Sequence, residues 1–173
     1  LRVDGKDPLF DKTGMLYKEF PSDFRQIRYF TLLIVQSAPL EIKGINSAFV
    51  TLHCGLSNFS PIEVEDLTKH KMDSEQMLIE KEACEIVNRA KKAGHHVCAV
   101  GTSVAKATET AVGTDGMLKE YNGWTSKFIF PPYNFGLADS MVANFYHPES
   151  TLLMSTAAFG GYEAVMECYD LAV

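Results

Sequence analysis

Residues 80–112, EKEACEIVNRAKKAGHHVCAVGTSVAKATETAV, carry the pattern that decides the fold. Between Glu80 and Ala93 four apolar residues recur at the spacing of one helical face, which predicts an amphipathic helix. These residues are Ala83, Ile86, Val87 and Ala90. Gly94 ends this helix, His96–Val100 is typical of a short strand, and Gly101 opens a second helix. Helix, strand and helix separated by glycines predict an α/β fold with a mainly parallel sheet flanked by helices.

Further elements extend from this unit in both directions along the chain. Downstream, the pattern predicts strands over Trp124–Phe130 and Ser140–Phe145, then a helix over Thr151–Phe159 with Ser150 as its N-cap, and a last amphipathic helix after Gly161. Upstream, it predicts a strand over Ile45–Cys54, a weak helix over Thr31–Lys43 and turn-rich residues 1–29.

Composition excludes several classes of protein. The chain has 173 residues, 46% of them hydrophobic and 22% charged, which is typical of one globular domain. No apolar run approaches the roughly 20 residues that span a bilayer. A net charge of −6 argues against broad nucleic-acid affinity, so any such binding needs a local patch. The four cysteines lack zinc-site spacing, which favours reduced thiols, no metal and a cytoplasmic location.

The sharpest local feature is a histidine at the end of a predicted strand, in TLHCGLSNF, residues 51–59. Ligands of parallel α/β sheets bind outside the carboxyl ends of the strands, which is where His53 is expected to lie. A histidine there can transfer protons near neutral pH. The alternative is a strand histidine that hydrogen-bonds to a neighbouring loop.

A second candidate site is the helix start at Gly101-Thr102-Ser103. The N–H groups of a helix start favour an anion, and Lys106 follows one turn later. The segment lacks the longer glycine patterns of nucleotide sites. An ordinary helix capped by Thr102 or Ser103, with a surface lysine, explains the same residues.

Two charged stretches and one polar corner complete the candidates. Residues 63–75 are either a solvated loop or a basic segment around His70, flanked by Ser74, that meets a phosphate. The basic residues of 89–96 are typical of a charged helix end. Polar residues near the C-terminus either converge on the crevice of His53 or serve as caps and turns. These residues are Asn144, Tyr146, His147, Ser150 and Thr151.

Taken in order, four segments of the chain resemble the C-terminal portion of the S-adenosylmethionine:tRNA ribosyltransferase-isomerases, the QueA family. The segments are TLHCGLSNFSPIEVEDLTKHKMDSE (51–75), AVGTSVAKATE (99–109), GWTSKFIFPPYNF (123–135) and ANFYHPESTLLMSTAAFGGYE (143–163). Four separated motifs in one order make the resemblance highly specific. It extends from about Arg28 to the end of the chain.

The resemblance implies a transferase-isomerase of queuosine biosynthesis. Such an enzyme moves the ribosyl moiety of S-adenosylmethionine onto 7-aminomethyl-7-deazaguanine at the wobble position of tRNA and isomerises it to epoxyqueuosine. Adenine and methionine are released. The reaction is expected to begin with removal of a proton from the carbon beside the sulfonium, whose charge acidifies that position. S-adenosylmethionine is then a cosubstrate, no prosthetic group or metal is needed, no membrane is involved and a monomer is favoured.

The resemblance also suggests roles for individual residues. The expected catalytic residues are His53, as the leading acid–base group, His70 and Lys106. Thr102, Ser103 and Lys106 are expected to face the methionine carboxylate or a tRNA phosphate. The full expected binding set comprises Gly55, Ser57, Phe59, Ser74, Gly101, Thr102, Ser103, Asn144, Ser150 and Thr151.

The chain departs from the family pattern in three places. The family's arginine after the Gly-Thr-Ser turn is replaced by Ala105-Lys106, which keeps a charge but loses the planar fork of a guanidinium. The family's His-Leu-Pro is Tyr146-His147-Pro148. A Pro-Gly-Ser segment expected between Tyr29 and Phe30 is missing, and the inserted β-barrel domain is largely absent. The expected organisation is therefore a partial remnant of an N-terminal or inserted domain over residues 1–29 and an α/β domain over 30–173.

Two alternatives to the main interpretation remain. One is another S-adenosylmethionine-dependent transferase, such as a methyltransferase. The other is a catalytically impaired domain that binds RNA or a partner, which the departures from the family pattern and the acidic charge favour modestly. The 173 residues alone are not expected to be active.

Overall fold

The structure is a computed structural model that describes residues 42–55, 58 and 61–172. The expectations for residues 1–29, and for most of the weak helix over Thr31–Lys43, lie outside the described residues, as do Ser57 and Phe59. The described helices are α1 (Lys81–Lys92), α2 (Thr102–Ala111), α3 (Thr151–Gly160) and α4 (Tyr162–Ala172). The described strands are β1 (Thr51–Leu52), β2 (Glu75–Ile79), β3 (Cys98–Val100), β4 (Tyr121–Thr125) and β5 (Ser140–Val142).

The α1–β3–α2 unit forms where the sequence predicts it. Helix α1 buries Ala83 and Cys84, carries basic residues in its last turn, and is followed by Gly94 at a φ of +75°. A left-handed residue after the last turn is a common way to end a helix, and it favours glycine. The expected N-cap at Ser150 is also present: the Ser150 side chain accepts a hydrogen bond from the Leu153 N–H at the start of α3.

The larger sheet is antiparallel and has β2 at its centre, between β1 and β4. Met77 pairs with Leu52 on one side and with Gly123 on the other. Along β2, Glu75, Met77 and Ile79 are buried whereas Gln76 is exposed. This alternation is typical of an antiparallel strand with one face on the core.

The expected parallel pairing is found in a second, two-stranded sheet, in which β3 runs alongside β5. The α/β class is therefore confirmed, whereas the mainly parallel sheet is replaced, in the described part of the chain, by one antiparallel and one parallel sheet. The difference arises because β3 does not pair with β2 after α1. Instead the chain passes through α2 and returns as β4, which lies antiparallel to β2.

Helix α2 lies at the centre of the fold and contacts β1, β3, β4, β5 and α3. Seven of its ten residues are buried, including the charged Lys106 and Glu109. The main core is formed by α2 together with the inner face of the antiparallel sheet and α1. Its buried members are Leu52, Cys54, Met77, Ile79, Ala83, Cys84, Ala107, Ala111, Leu118 and Leu137. Within the described ranges, no helix is both long and apolar enough to cross a membrane.

Candidate functional site

Glu75, the first residue of β2, is a buried carboxylate with an exposed fraction of 1%. The backbone N–H of Gly55 and the side-chain amide of Asn58 donate to its Oε1, at 2.6 and 2.5 Å. Lys106 donates from its ammonium to Oε2 at 2.5 Å. A buried charge is tolerated only when it is paired and hydrogen-bonded, and Glu75 meets both requirements. In the sequence Glu75 stands at the edge of the charged stretch 63–75, and its burial was not predicted.

Asn58 connects the loop after β1 to the start of α3. Its side chain is bound to Glu75, and its backbone carbonyl accepts a hydrogen bond from the hydroxyl of Thr151 at 3.1 Å. Both Asn58 and Thr151 are almost completely buried, at 4% and 2% exposed. The loop after the first strand and the N-terminus of α3 are therefore held together through one residue.

The N-terminus of α2 begins at Gly101, which has a φ of +103° and a ψ of 141°. Only glycine adopts this backbone conformation without strain. The expected caps Thr102 and Ser103 are instead the first residues inside the helix, and no side chain caps it. The Thr102 hydroxyl bonds to the Tyr146 hydroxyl at 3.2 Å, and Ser103 Oγ lies 3.5 Å from Cys54 Sγ.

The thiol of Cys54 lies beneath this helix start. Burial is the main cause that raises its pKa, and the nearby carboxylate of Glu75 acts in the same direction. Ser103 and Lys106 partly oppose this shift. The thiol form is therefore favoured, and Cys54 packs as a small buried side chain.

A pocket opens beside the helix start and the ion pair. Its lining comprises Asn58, Met72, Thr102, Ser103, Lys106, Lys127, Phe128, Ile129, Thr151, Leu152 and Ser155. None of these described residues is acidic. All of them belong to the four sequence segments 51–75, 99–109, 123–135 and 143–163. Stretches that are far apart in the chain thus meet at one place.

A second buried carboxylate, Glu109, is linked through Tyr133 to the lining residue Lys127. Glu109 accepts hydrogen bonds from the backbone N–H groups of Gly136 and Leu137, each at 3.0 Å, and from the Tyr133 hydroxyl at 3.1 Å. Lys127 donates from its ammonium to the same hydroxyl at 3.2 Å. Burial, followed by the charge of Glu109 and its hydrogen bond, raises the pKa of Tyr133 to about 12. Tyr133 is therefore neutral at physiological pH.

The structure brings some of the expected site residues together and leaves others apart. Thr102, Ser103, Lys106 and Thr151 line the pocket. His70 reaches its edge, since its ring centroid lies 5.0 Å from that of the lining residue Phe128.

The remaining described residues of the expected set do not line the pocket. His53 donates from its backbone N–H to the Gln76 carbonyl at 2.8 Å, which places it opposite Gln76, the strand residue after Glu75. Gly55 binds Glu75 through its own N–H, and Ser150 caps α3. Ser74 and Asn144 are exposed and do not line the pocket.

Four residues of the site were not predicted from the sequence: Glu75, Asn58, Lys127 and Glu109. One signal was available for Glu75: it stands two and four residues before the apolar Met77 and Ile79, on the same face of a strand. No comparable local signal marks Glu109, whose partners follow it by more than 20 residues.

Comparisons with known proteins identify relatives of this chain. A family model described as a queuosine biosynthesis protein matches residues 30–173. The chain is 65% identical over 134 residues to the S-adenosylmethionine:tRNA ribosyltransferase-isomerase of Phocaeicola vulgatus, covering 78% of this chain and 38% of that protein. Over 131 residues it is 46% identical to the protein of the same name from Clostridioides difficile, covering 76% and 38%. The chain thus spans 38% of the length of these relatives.

A solved structure of a similarly named protein also matches this chain. The chain matches the crystal structure of S-adenosylmethionine tRNA ribosyltransferase from Thermotoga maritima with a TM-score of 0.63 and 34% sequence identity. The match covers 83% of this chain and 44% of that one. Among the described residues, no group of three or more His, Cys, Asp and Glu side chains is placed to hold a metal ion.

Proposed function

The chain belongs to the queuosine biosynthesis protein family, and on this basis we propose that the complete protein containing it is an S-adenosylmethionine:tRNA ribosyltransferase-isomerase. It transfers the ribosyl moiety of S-adenosylmethionine to 7-aminomethyl-7-deazaguanine at the wobble position of tRNA and isomerises it, giving epoxyqueuosine, adenine and methionine. The observation that carries the proposal is the pocket, because every described residue lining it comes from one of the four segments that resemble this family. Because tRNA is the proposed substrate, the cytoplasm is the proposed compartment.

We assign the helix start of α2 to anion binding within this pocket. Its first N–H groups carry the positive end of the helix dipole, and no side chain caps them. Thr102 and Ser103 lie on this first turn and line the pocket. The methionine carboxylate of S-adenosylmethionine is the group that fits such a site.

Lys106 is not proposed to act as a free cation. Its charge is compensated by Glu75 within the same buried pair. The pair fixes Gly55 and Asn58 in the loop after β1, and Asn58 lines the pocket. Ser150 and Thr151 hold the start of α3 against the same loop.

His53 is the proposed acid–base group. It directly follows β1 and lies beside the strand residue next to Glu75, at the edge of the sheet that carries the ion pair. Its imidazole can accept the proton that is removed from the carbon beside the sulfonium. His70, in ring contact with a lining residue, and the exposed Ser74 and Asn144 are proposed to contact the larger tRNA substrate.

Isotope labelling tests the function directly. The complete encoded protein is incubated with tRNA that carries 7-aminomethyl-7-deazaguanine and with S-adenosylmethionine labelled either in the ribose or in the methyl group. We expect ribose label in the tRNA, no methyl label, and one adenine released per transfer. Methyl label in the tRNA would instead indicate a methyltransferase. Tight tRNA binding without adenine release would indicate a binding domain without catalysis.

A further inference from the structure

The pocket contains two lysines, and only one of them lacks a carboxylate partner among the described residues. Lys106 is paired with Glu75. Lys127 takes part in none of the four ion pairs in the described part of the chain, and its ammonium instead donates to the neutral hydroxyl of Tyr133. An ammonium has three N–H donors, so two remain for a ligand. Lys127 is therefore the lysine of this lining without a direct ion pair among the described residues, and the Tyr133 hydroxyl lies between it and the carboxylate of Glu109.

Two hydroxyl groups of the lining, those of Thr151 and Ser155, already donate their hydrogen to backbone carbonyls. Thr151 donates its hydroxyl hydrogen to the Asn58 carbonyl, and Ser155 donates to the carbonyls of Ile129 and Thr151. The ammonium of Lys127 and the N–H groups at the start of α2 are therefore two sets of donors available to an anion in the pocket. These two donors approach from different segments of the chain.

The position of Lys127 is fixed by a chain of hydrogen bonds that ends in the core. The backbone N–H groups of Gly136 and Leu137 hold Glu109, which is 4% exposed, and Glu109 in turn accepts the Tyr133 hydroxyl hydrogen. The oxygen of Tyr133 is thereby turned to accept from Lys127. Since Tyr133 remains protonated, it orients the ammonium without neutralising it.

We propose that Lys127 binds the carboxylate of S-adenosylmethionine and that Tyr133 and Glu109 are the residues that position its ammonium. The inference rests on the proposed function. The apolar part of the lining supports the choice of this anion over a tRNA phosphate, because Met72, Phe128 and Leu152 can pack against the aliphatic chain that carries the carboxylate. Lys127 is also partly buried, whereas a backbone phosphate is met more readily by exposed lysines.

The test compares two ligands that differ only in the carboxylate, S-adenosylmethionine and its decarboxylated analogue. Their dissociation constants are measured by equilibrium dialysis with the complete protein and saturating tRNA that carries guanine in place of 7-aminomethyl-7-deazaguanine, so that no transfer consumes the ligand. We expect the wild type to prefer S-adenosylmethionine by about tenfold or more, as for a charged hydrogen-bonded group. Lys127→Gln should lose most of this preference, and the N–H groups at the start of α2 should retain the remainder. Lys127→Arg should retain most of the preference. Lys92→Gln, the same change of charge at the exposed end of α1, should leave it unchanged.

The positioning role has its own readout. Tyr133→Phe keeps the ring and removes only the hydroxyl, so it should lower the ratio a fewfold and leave the affinity for the decarboxylated analogue unchanged. If Tyr133 is purely structural, the affinity for both ligands should fall by the same factor. That result would overturn the positioning role. Glu109→Gln should behave as Tyr133→Phe does.

Three results would overturn the inference about Lys127. The first is a wild type that binds the two ligands with equal affinity. The second is a Lys127→Gln variant that binds both ligands more weakly by the same factor. The third is a Lys127→Gln variant in which the dissociation constant of tRNA and its salt dependence change instead. The last result would assign Lys127 to a phosphate. A protein that binds S-adenosylmethionine but releases no adenine would contradict the proposed function alone, because the ratio of dissociation constants would still test Lys127.

Discussion

Lys106 and Glu75 form an ion pair inside the protein, with 2.5 Å between Nζ and Oε2 and side chains that are 10% and 1% exposed. The pair joins the central helix α2 to the first residue of the central strand β2. Taking two charges out of water is costly, and the hydrogen bonds from Gly55 and Asn58 offset part of that cost. The contact therefore sets the position of the pocket wall more than it adds to the stability of the fold.

The first prediction is that removing one member of this pair is strongly destabilising. Lys106→Met should lower the free energy of unfolding by about 3–5 kcal/mol, because Glu75 is left as an uncompensated buried charge. Adding Glu75→Gln to Lys106→Met should recover part of the loss. Urea unfolding of the single and double variants measures this coupling.

An exposed ion pair of the same chain provides the control. Lys69 and Asp66 lie 3.6 Å apart, with side chains that are 77% and 48% exposed. Lys69→Met should change stability by less than about 1 kcal/mol. Equal effects of Lys69→Met and Lys106→Met would contradict the interpretation of a desolvated pair.

The second prediction concerns His53 as the acid–base group. His53→Gln should reduce the rate of adenine release by about 10²–10⁴-fold, the usual contribution of general acid–base catalysis. Single-turnover assays with substrate tRNA measure the rate, and the dissociation constant of S-adenosylmethionine should change little. His95→Gln, an exposed histidine after α1, is the matched control. Unchanged turnover in His53→Gln would remove His53 from the mechanism.

The third prediction separates capping from binding at the start of α3. The Ser150 side chain accepts a hydrogen bond from the Leu153 N–H at 3.2 Å and does not line the pocket. Ser150→Ala should therefore cost about 1 kcal/mol of stability, whereas Ser150→Asp should retain the cap. Both variants should keep kcat/KM for S-adenosylmethionine within about twofold if Ser150 only caps the helix. A large rise in KM with unchanged stability would show direct contact with the ligand.

The fourth prediction is a pH dependence that originates at the parallel sheet. The Val97 N–H donates to Asp139 at 2.8 Å, and Lys91 lies 3.6 Å from the same carboxylate. The hydrogen bond from Val97 is the main cause that lowers the pKa of Asp139 below 3.8, with a smaller contribution from Lys91. Because the folded-state pKa is the lower one, Asp139 stabilises the fold above pH 3.8, and this contribution is lost as the pH falls through the folded-state pKa.

The variant Asp139→Asn tests this dependence. The wild type should be more stable than Asp139→Asn at pH 7, and the difference should shrink as the pH is lowered below 3.8. Urea midpoints at a series of pH values measure it. Asp170→Asn, which removes an exposed carboxylate from α4, controls for the change in net charge. A difference that is constant with pH would contradict the assignment.

The sequence predicts those parts of the structure that are set by local chemistry. The α1–β3–α2 unit follows from apolar spacing and terminal glycines, and the Ser150 cap follows from its residue type. The pairing of β2 with β4 is not predictable in this way, because its residues lie more than 40 positions apart along the chain.

The buried charges of α2 were the hardest part of the site to predict. Lys106 and Glu109 stand three positions apart in the sequence, as in an ordinary exposed ion pair on a helix. In the structure each has a different partner: Lys106 pairs with Glu75, and Glu109 binds the backbone of Gly136 and Leu137. Only the fold reveals that neither charge faces solvent.

The hydrogen bond from Thr151 to the Asn58 carbonyl closes a loop of the chain, since 93 positions separate the two residues. A contact between residues so far apart in the sequence loses chain entropy on closure before it contributes any stabilisation. We therefore expect the pocket to be completed late in folding. Closure entropy grows slowly with length, by about 0.6 kcal/mol for each doubling of a flexible loop. Surface insertions between Asn58 and Thr151 are thus expected to reduce the stability of the pocket only slightly. Loss of the segment that contains either residue would abolish the pocket.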